Sequence, residues 1–86
     1  MQDSGPLFDF DVPEELVAGA YANALGVWFT GHEFTFDFAV REPLETGRVV
    51  SRIRLPPTAI LEVLRIMSSE MSRYEETYGE IRRIDE

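Results

Sequence analysis

Eighty-six residues with 16 acids against 8 bases, a formal charge of −8, make one small domain. Every base is arginine and cysteine is absent, so disulfides, thiolate catalysis and cysteine-ligated metals are excluded together. The acidic balance repels phosphate backbones and disfavours nucleic acid as the main partner.

A chain this short buries only about 60–65% of its unfolded surface, which leaves a monomer marginal. The opening "MQDSGPLFDF" lacks a basic segment followed by an apolar run, so no signal peptide is read there. Apolar runs stay far below the ~20 residues of a membrane span. The expected compartment is the cytoplasm, with no membrane association.

Residues 1–7 are expected to be disordered, residues 8–81 to form a single α+β domain, and residues 82–86 to fray. Phe8, Phe10 and Val12 alternate with Asp9 and Asp11, the pattern of a short edge strand whose charges discourage aggregation. In "DVPEEL", Pro13 and two acids suit a turn or one helical turn. The first long strand is then expected to start near Ala18 or Tyr21.

The stretch "VWFTGHEFTFDFAV" places five aromatics in fourteen residues. Phe34, Phe36, Phe38 and Val40 alternate with Glu33, Thr35, Asp37 and Ala39, a period of two with one apolar face. A Gly31-His32 loop in a type II′ turn pairs Phe29 with Phe34, Val27 with Phe36 and Leu25 with Phe38. A one-residue slip would scatter these side chains over both faces, so the register is specified. The next strand, Arg48 to Leu55, is expected to pair Val40 with Val49, Phe36 with Ile53 and Phe34 with Leu55. Behind them Asp37 meets Arg52 as an opposite-charge pair. Both registers agree that Phe29, Phe34, Phe36 and Phe38 form the core layer of a sheet.

The opposite face carries Trp28, Ala24, Ala39 and Val50 beside Thr35, Asp37, Arg52 and Arg54. A tryptophan among small residues marks a candidate second interface, unless the N-terminal "LFDFDV" folds across it. Arg48, Arg52 and Arg54 share this face and Arg41 lies nearby, a candidate basic patch for RNA or an acidic ligand. The simpler expectation is that Asp37 and the glutamates of "EPLE" neutralise it.

Pro56-Pro57 closes the third strand and opens a helix that runs to Tyr78, where Gly79 supplies a left-handed cap. Ile60, Leu64, Met67, Met71, Tyr74 and Tyr78 are spaced 4-3-4-3-4, one longitudinal seam and the first candidate oligomer interface. Leu61, Val63 and Ile66 widen the stripe in the first half, which is expected to be buried on two sides. "EIRRIDE" either continues the helix beyond a kink or frays.

No catalytic constellation is present. The single histidine, His32, falls in a tight turn, and neither phosphate-loop fingerprint occurs. The chain reads as a non-enzyme without cofactor or metal.

"VPEE" at Val12 to Glu15, "YAN" at Tyr21 to Asn23, "EFTFDF" at Glu33 to Phe38, "SRI" at Ser51 to Ile53 and "YEETYGEI" at Tyr74 to Ile81 occur in one order. This set resembles a family of small prokaryotic proteins known as domain of unknown function 3467, from about Asp9 to Ile81. The family brings no activity and no site residues. Three antiparallel strands with an "EFxxDF" strand and then a long helix also look like the SecB export chaperones, at the level of fold. That resemblance implies a homo-oligomer holding unfolded or partly folded clients in apolar grooves without ATP. The chain departs from it in having no second, groove-covering helix.

The expected architecture is an antiparallel meander of three to four strands followed by one long C-terminal helix, working as a homodimer or dimer of dimers. The expected function is a protein-binding module, SecB-like in its sharpest form. The alternatives are an adaptor or structural subunit with one fixed protein partner, and an RNA or acidic-ligand binder through the arginine face.

Overall fold

The computed structural model describes residues 10–42 and 46–83. Expectations for residues 1–9, 43–45 and 84–86 lie outside the described residues. A three-stranded antiparallel sheet in the order β1 (Ala24–Phe29), β2 (Phe34–Val40), β3 (Arg48–Leu55) is followed by one helix, α1 (Pro57–Tyr78). This is the expected α+β meander with three strands among the described residues.

Phe10 to Val12 form no strand. Pro13 follows at once and lacks an N–H for a ladder. Instead Pro13 enters the expected single turn, a 3-10 helix at Glu14–Leu16, closed by the Leu16 N–H on the Pro13 carbonyl at 2.8 Å. The first strand starts at Ala24, later than expected. The chain still turns at Gly19, whose φ is +76°, and Asn23 makes the first bond to β2, its N–H on the Ala39 carbonyl at 2.9 Å.

The β1–β2 register is the expected one, with Leu25 opposite Phe38, Val27 opposite Phe36 and Phe29 opposite Phe34. The turn between them is not type II′, because Gly31 does not adopt a positive φ. Thr30 shapes it instead, its Oγ1 accepting the His32 N–H at 3.1 Å in a Ser/Thr turn. The β2–β3 register holds from Phe34–Leu55 to Phe38–Ser51 and then shifts by one residue. Val49 consequently faces Ala39, and Val40 faces Arg48 rather than Val49. This is a β-bulge with Val50 as the extra residue.

One residue, Pro56, separates β3 from α1, with φ −67° and ψ 154°. Pro57 opens the helix, where its missing N–H is not needed. Gly79 ends it with φ +100° and ψ 172°, a conformation open essentially to glycine alone, although not the left-handed one expected. The tail does not continue the helix through Arg83; the Glu75 carboxylate turns back to accept the Ile81 N–H at 3.0 Å.

The helix does not lie across its own sheet. Its sustained contact with the strands is confined to β3, and only Ala59, Ile60 and Val63 of its apolar side are half-buried. The expectation that its first half is enclosed on two sides is therefore not met within the chain. Nor is the phenylalanine layer enclosed. Phe34, Phe36 and Phe38 are half-buried, Phe29 is 68% exposed, and no hydrophobic side chain is buried among the described residues.

Candidate functional site

The two faces of the sheet differ in kind. On the polar face, the central strand is covered by long side chains from its neighbours. Thr35 lies opposite Trp28 and Arg54, and Asp37 opposite Gly26 and Arg52. Arginine and tryptophan lay apolar bodies along such a surface while their polar ends stay wet, which leaves Thr35 5% and Asp37 8% exposed. Arg52 grips the Asp37 carboxylate with both arms of its guanidinium, Nε to Oδ1 at 2.7 Å and Nη2 to Oδ2 at 2.8 Å. This two-pronged geometry is the strong form of an ion pair.

The hydrogen bond from Arg52, aided by its charge, holds the Asp37 carboxyl below its ordinary range against the opposing effect of burial. The same bond holds Arg52 more firmly protonated. The guanidinium also sits 5.2 Å from the centroid of the Trp28 ring, a cation–π contact. Glu33 approaches Arg54 at 3.7 Å.

These contacts revise two sequence readings. Trp28 is not a bare apolar patch, because Arg52, itself pinned by Asp37, covers one side of its ring. Ala24 and Ala39 do face each other in register, while on β3 Val49 takes the place opposite Ala39 and Val50 is the extra residue of the bulge. Trp28, Ala24 and Ala39 of the candidate second interface thus share one face of the sheet, around a satisfied polar cluster. The candidate basic patch is dispersed. Arg52 is paired with Asp37 and Arg54 with Glu33, while the bulge sets Arg48 opposite Val40 on the other face. Among the described residues, neutralisation comes from Asp37 as expected and also from Glu33.

Arg41 has a different role. Its main-chain N–H donates to the Asn23 Oδ1 at 2.8 Å, and its carbonyl accepts the Asn23 Nδ2 at 3.2 Å. The Asn23 side chain thereby mimics one more rung of the ladder and closes the open end of the hairpin. Only the position of Asn23 just before the paired run could have signalled this.

The apolar face is open. Leu25, Val27 and Phe29 of β1 stand beside Phe34, Phe36 and Phe38 of β2 and Ile53 of β3. The Phe29 and Phe34 rings lie 5.4 Å apart, and those of Phe36 and Phe38 stack at 6.2 Å. Along α1, the seam is as open as the sheet. Ile60 is half-buried, but Leu64 is 62% exposed, and Met67, Met71, Tyr74 and Tyr78 are all exposed. The Tyr74 and Tyr78 rings pair at 5.0 Å. The flanks are tied by Glu62–Arg65 and Glu70–Arg73 pairs one turn apart, and Arg65 holds the Glu62 carboxyl below its ordinary range.

Such a surface presents two rows of large apolar side chains to the surroundings. His32 is exposed in the hairpin turn. Among the described residues, no three histidine, cysteine or acidic side chains gather as a metal would require, and no helix is long and apolar enough to cross a membrane.

A family model described as protein of unknown function, DUF3467, matches residues 3–83, and the chain belongs to that family. No curated protein and no solved structure matches it, so the comparisons give the likeness to SecB no support.

Proposed function

Since membership of that family assigns no activity, we propose that the protein is a non-enzymatic, homo-oligomeric protein-binding module. One observation carries this reading: among the described residues the chain buries no hydrophobic side chain, yet aligns large exposed ones along a sheet face and a helix seam. Monomeric proteins rarely expose contiguous apolar patches beyond a few hundred Å². Part of this surface serves assembly and the rest receives a polypeptide. Methionines at 67 and 71 suit adaptable contacts with varied side chains.

The sharpest form of the reading is a SecB-like holder of unfolded or partly folded clients, supported by the order of strands and helix. The alternative is an adaptor for one fixed partner. The arginine-face reading carries little, since Arg52 and Arg54 are paired with acids and Arg48 lies on the other face.

Aggregation of several unrelated unfolded proteins, followed by light scattering with equimolar protein, separates these. Suppression across unrelated clients is expected. Failure to suppress any, with one polypeptide co-purifying from the source cells at fixed ratio, would replace the chaperone form by the adaptor. Failure of both would overturn the reading.

A further inference from the structure

The phenylalanine face and the helix seam are both open, and the helix is attached where it cannot close the gap itself. We propose that the apolar face of the sheet is covered by α1 of a second copy, the two chains exchanging their helices about a twofold axis. This inference rests on the homo-oligomeric reading above and assigns the surface that assembly consumes.

The connector supplies the first argument. A helix that folds back over the strand preceding it needs a loop of about 2–6 residues. Here Pro56 alone stands between Leu55 and Pro57, with its φ of −67° set by its ring and its ψ of 154° extended. Nothing in "LPP" can reverse the chain. The helix accordingly leaves the sheet, touching β3 and leaving Leu25, Val27, Phe29 and Ile53 exposed. Short, stiff hinges of this kind favour exchange between copies.

Complementarity supplies the second. A helix stripe packed on an apolar sheet face is a standard two-layer solution, and the chain carries one of each, both exposed among the described residues. Pairing seam to seam would leave the sheets open. Stacking sheet on sheet would leave the helices open. A reciprocal exchange covers both with one symmetry operation.

Size supplies the third. Leu25, Val27, Phe29 and Ile53 on the sheet and Leu61, Leu64, Met67 and Met71 on the helix are each about half exposed or more. At roughly 100 Å² apiece, below the 150–250 Å² that a fully buried aromatic side chain removes from water, they offer about 800 Å² per chain. Two chains then bury about 1,600 Å², the standard size of a specific interface.

The lengths agree as well. The 22 residues of α1 extend about 33 Å, against about 26 Å for the eight residues of β3. The last turn, with Tyr74 and Tyr78, overhangs the partner's sheet and stays available to a client.

The absence of cysteine makes the test direct. Single substitutions Val27→Cys and Ser51→Cys mark the sheet face, and Leu64→Cys and Ser68→Cys mark the helix. Sheet and helix variants are mixed, re-equilibrated from urea, oxidised and resolved by intact mass. The serine replacements are close to isosteric and keep the test in hand if the apolar ones impair folding.

Sheet-to-helix disulfides between different chains are expected to exceed same-site disulfides several-fold. Dimers linked only helix to helix, or only sheet to sheet, would overturn the exchange while leaving the homo-oligomer intact. A species of single-chain native mass without cross-links would overturn both.

Discussion

Phe29→Ala distinguishes a covered sheet face from an open one by magnitude. In the single chain Phe29 is 68% exposed, so about a third of a ring surface of roughly 200 Å² is out of water. At about 25 cal/mol per Å², its removal from an isolated chain costs at most about 1.6 kcal/mol. If a second copy covers the face, the ring is enclosed, and truncating an enclosed phenylalanine costs about 3–5 kcal/mol in each chain. The assay is urea unfolding at about 1 and 100 μM protein, followed by circular dichroism. For a dimer the hundredfold step in concentration shifts the wild-type transition by an amount equivalent to about 2.8 kcal/mol. Phe29→Ala is expected to lower it by more than that. A variant that loses under about 1.6 kcal/mol, with a midpoint indifferent to concentration, would refute the reasoning.

Three smaller predictions test the supporting parts. Because Asp37 titrates below its ordinary range when folded, the unfolded chain takes up the proton first as acid is added. The stability it contributes is therefore complete above the ordinary aspartate value and is lost as pH falls through the lowered one. Asp37→Asn should flatten the decline of the urea midpoint between about pH 5 and 2, with a residue left from Glu62; a decline as steep as in wild type would contradict the Arg52 clamp. Asn23→Ala removes both side-chain bonds to the Arg41 main chain, and should cost about 1 kcal/mol and speed amide exchange at Arg41. Unchanged protection there would remove the clamp from the account. Gly79→Ala forces alanine to a φ of +100° at a cost of about 1–3 kcal/mol, whereas Gly31→Ala, with open space around its added methyl and no positive φ, should stay within about 0.5 kcal/mol. Equal thermal shifts in the two variants would restore the glycine-dependent turn.

The sequence was most legible where one periodicity had one solution. The alternation of Leu25, Val27, Phe29 with Phe34, Phe36, Phe38 admits a single register without splitting the apolar set, and that register is observed. Pro57 and Gly79 bracket α1 because each has a backbone property the helix end needs. The bulge was hidden because Val49 and Val50 are both apolar. Either valine gives Ala39 an apolar neighbour, so pattern alone cannot choose, and the fate of Arg48 turns on that choice. Gly31 suggested a II′ turn from composition, while the Thr30 hydroxyl that shapes the turn leaves no periodic trace.

The candidate site was legible in its parts and illegible in their assembly. Spacing identifies the seam from Ile60 to Tyr78 and the phenylalanine face as apolar, but does not say which surface meets which. Whether a helix can reach its own sheet depends on the connector, and "LPP" between Arg54 and Thr58 decides against it. The polar face was legible in its pairing and not in its covering. The strand register pairs Asp37 with Arg52 already in the sequence, as observed, whereas the seat of that guanidinium on the Trp28 ring depends on side-chain conformations that leave no trace in the pattern.

The native mass of the protein, purified gently from its source cells at natural expression, tests the homo-oligomeric account most directly. The account predicts an assembly of an even number of chains, either alone or carrying substoichiometric, varied polypeptides. A folded species of single-chain mass that persists at micromolar concentration would contradict it.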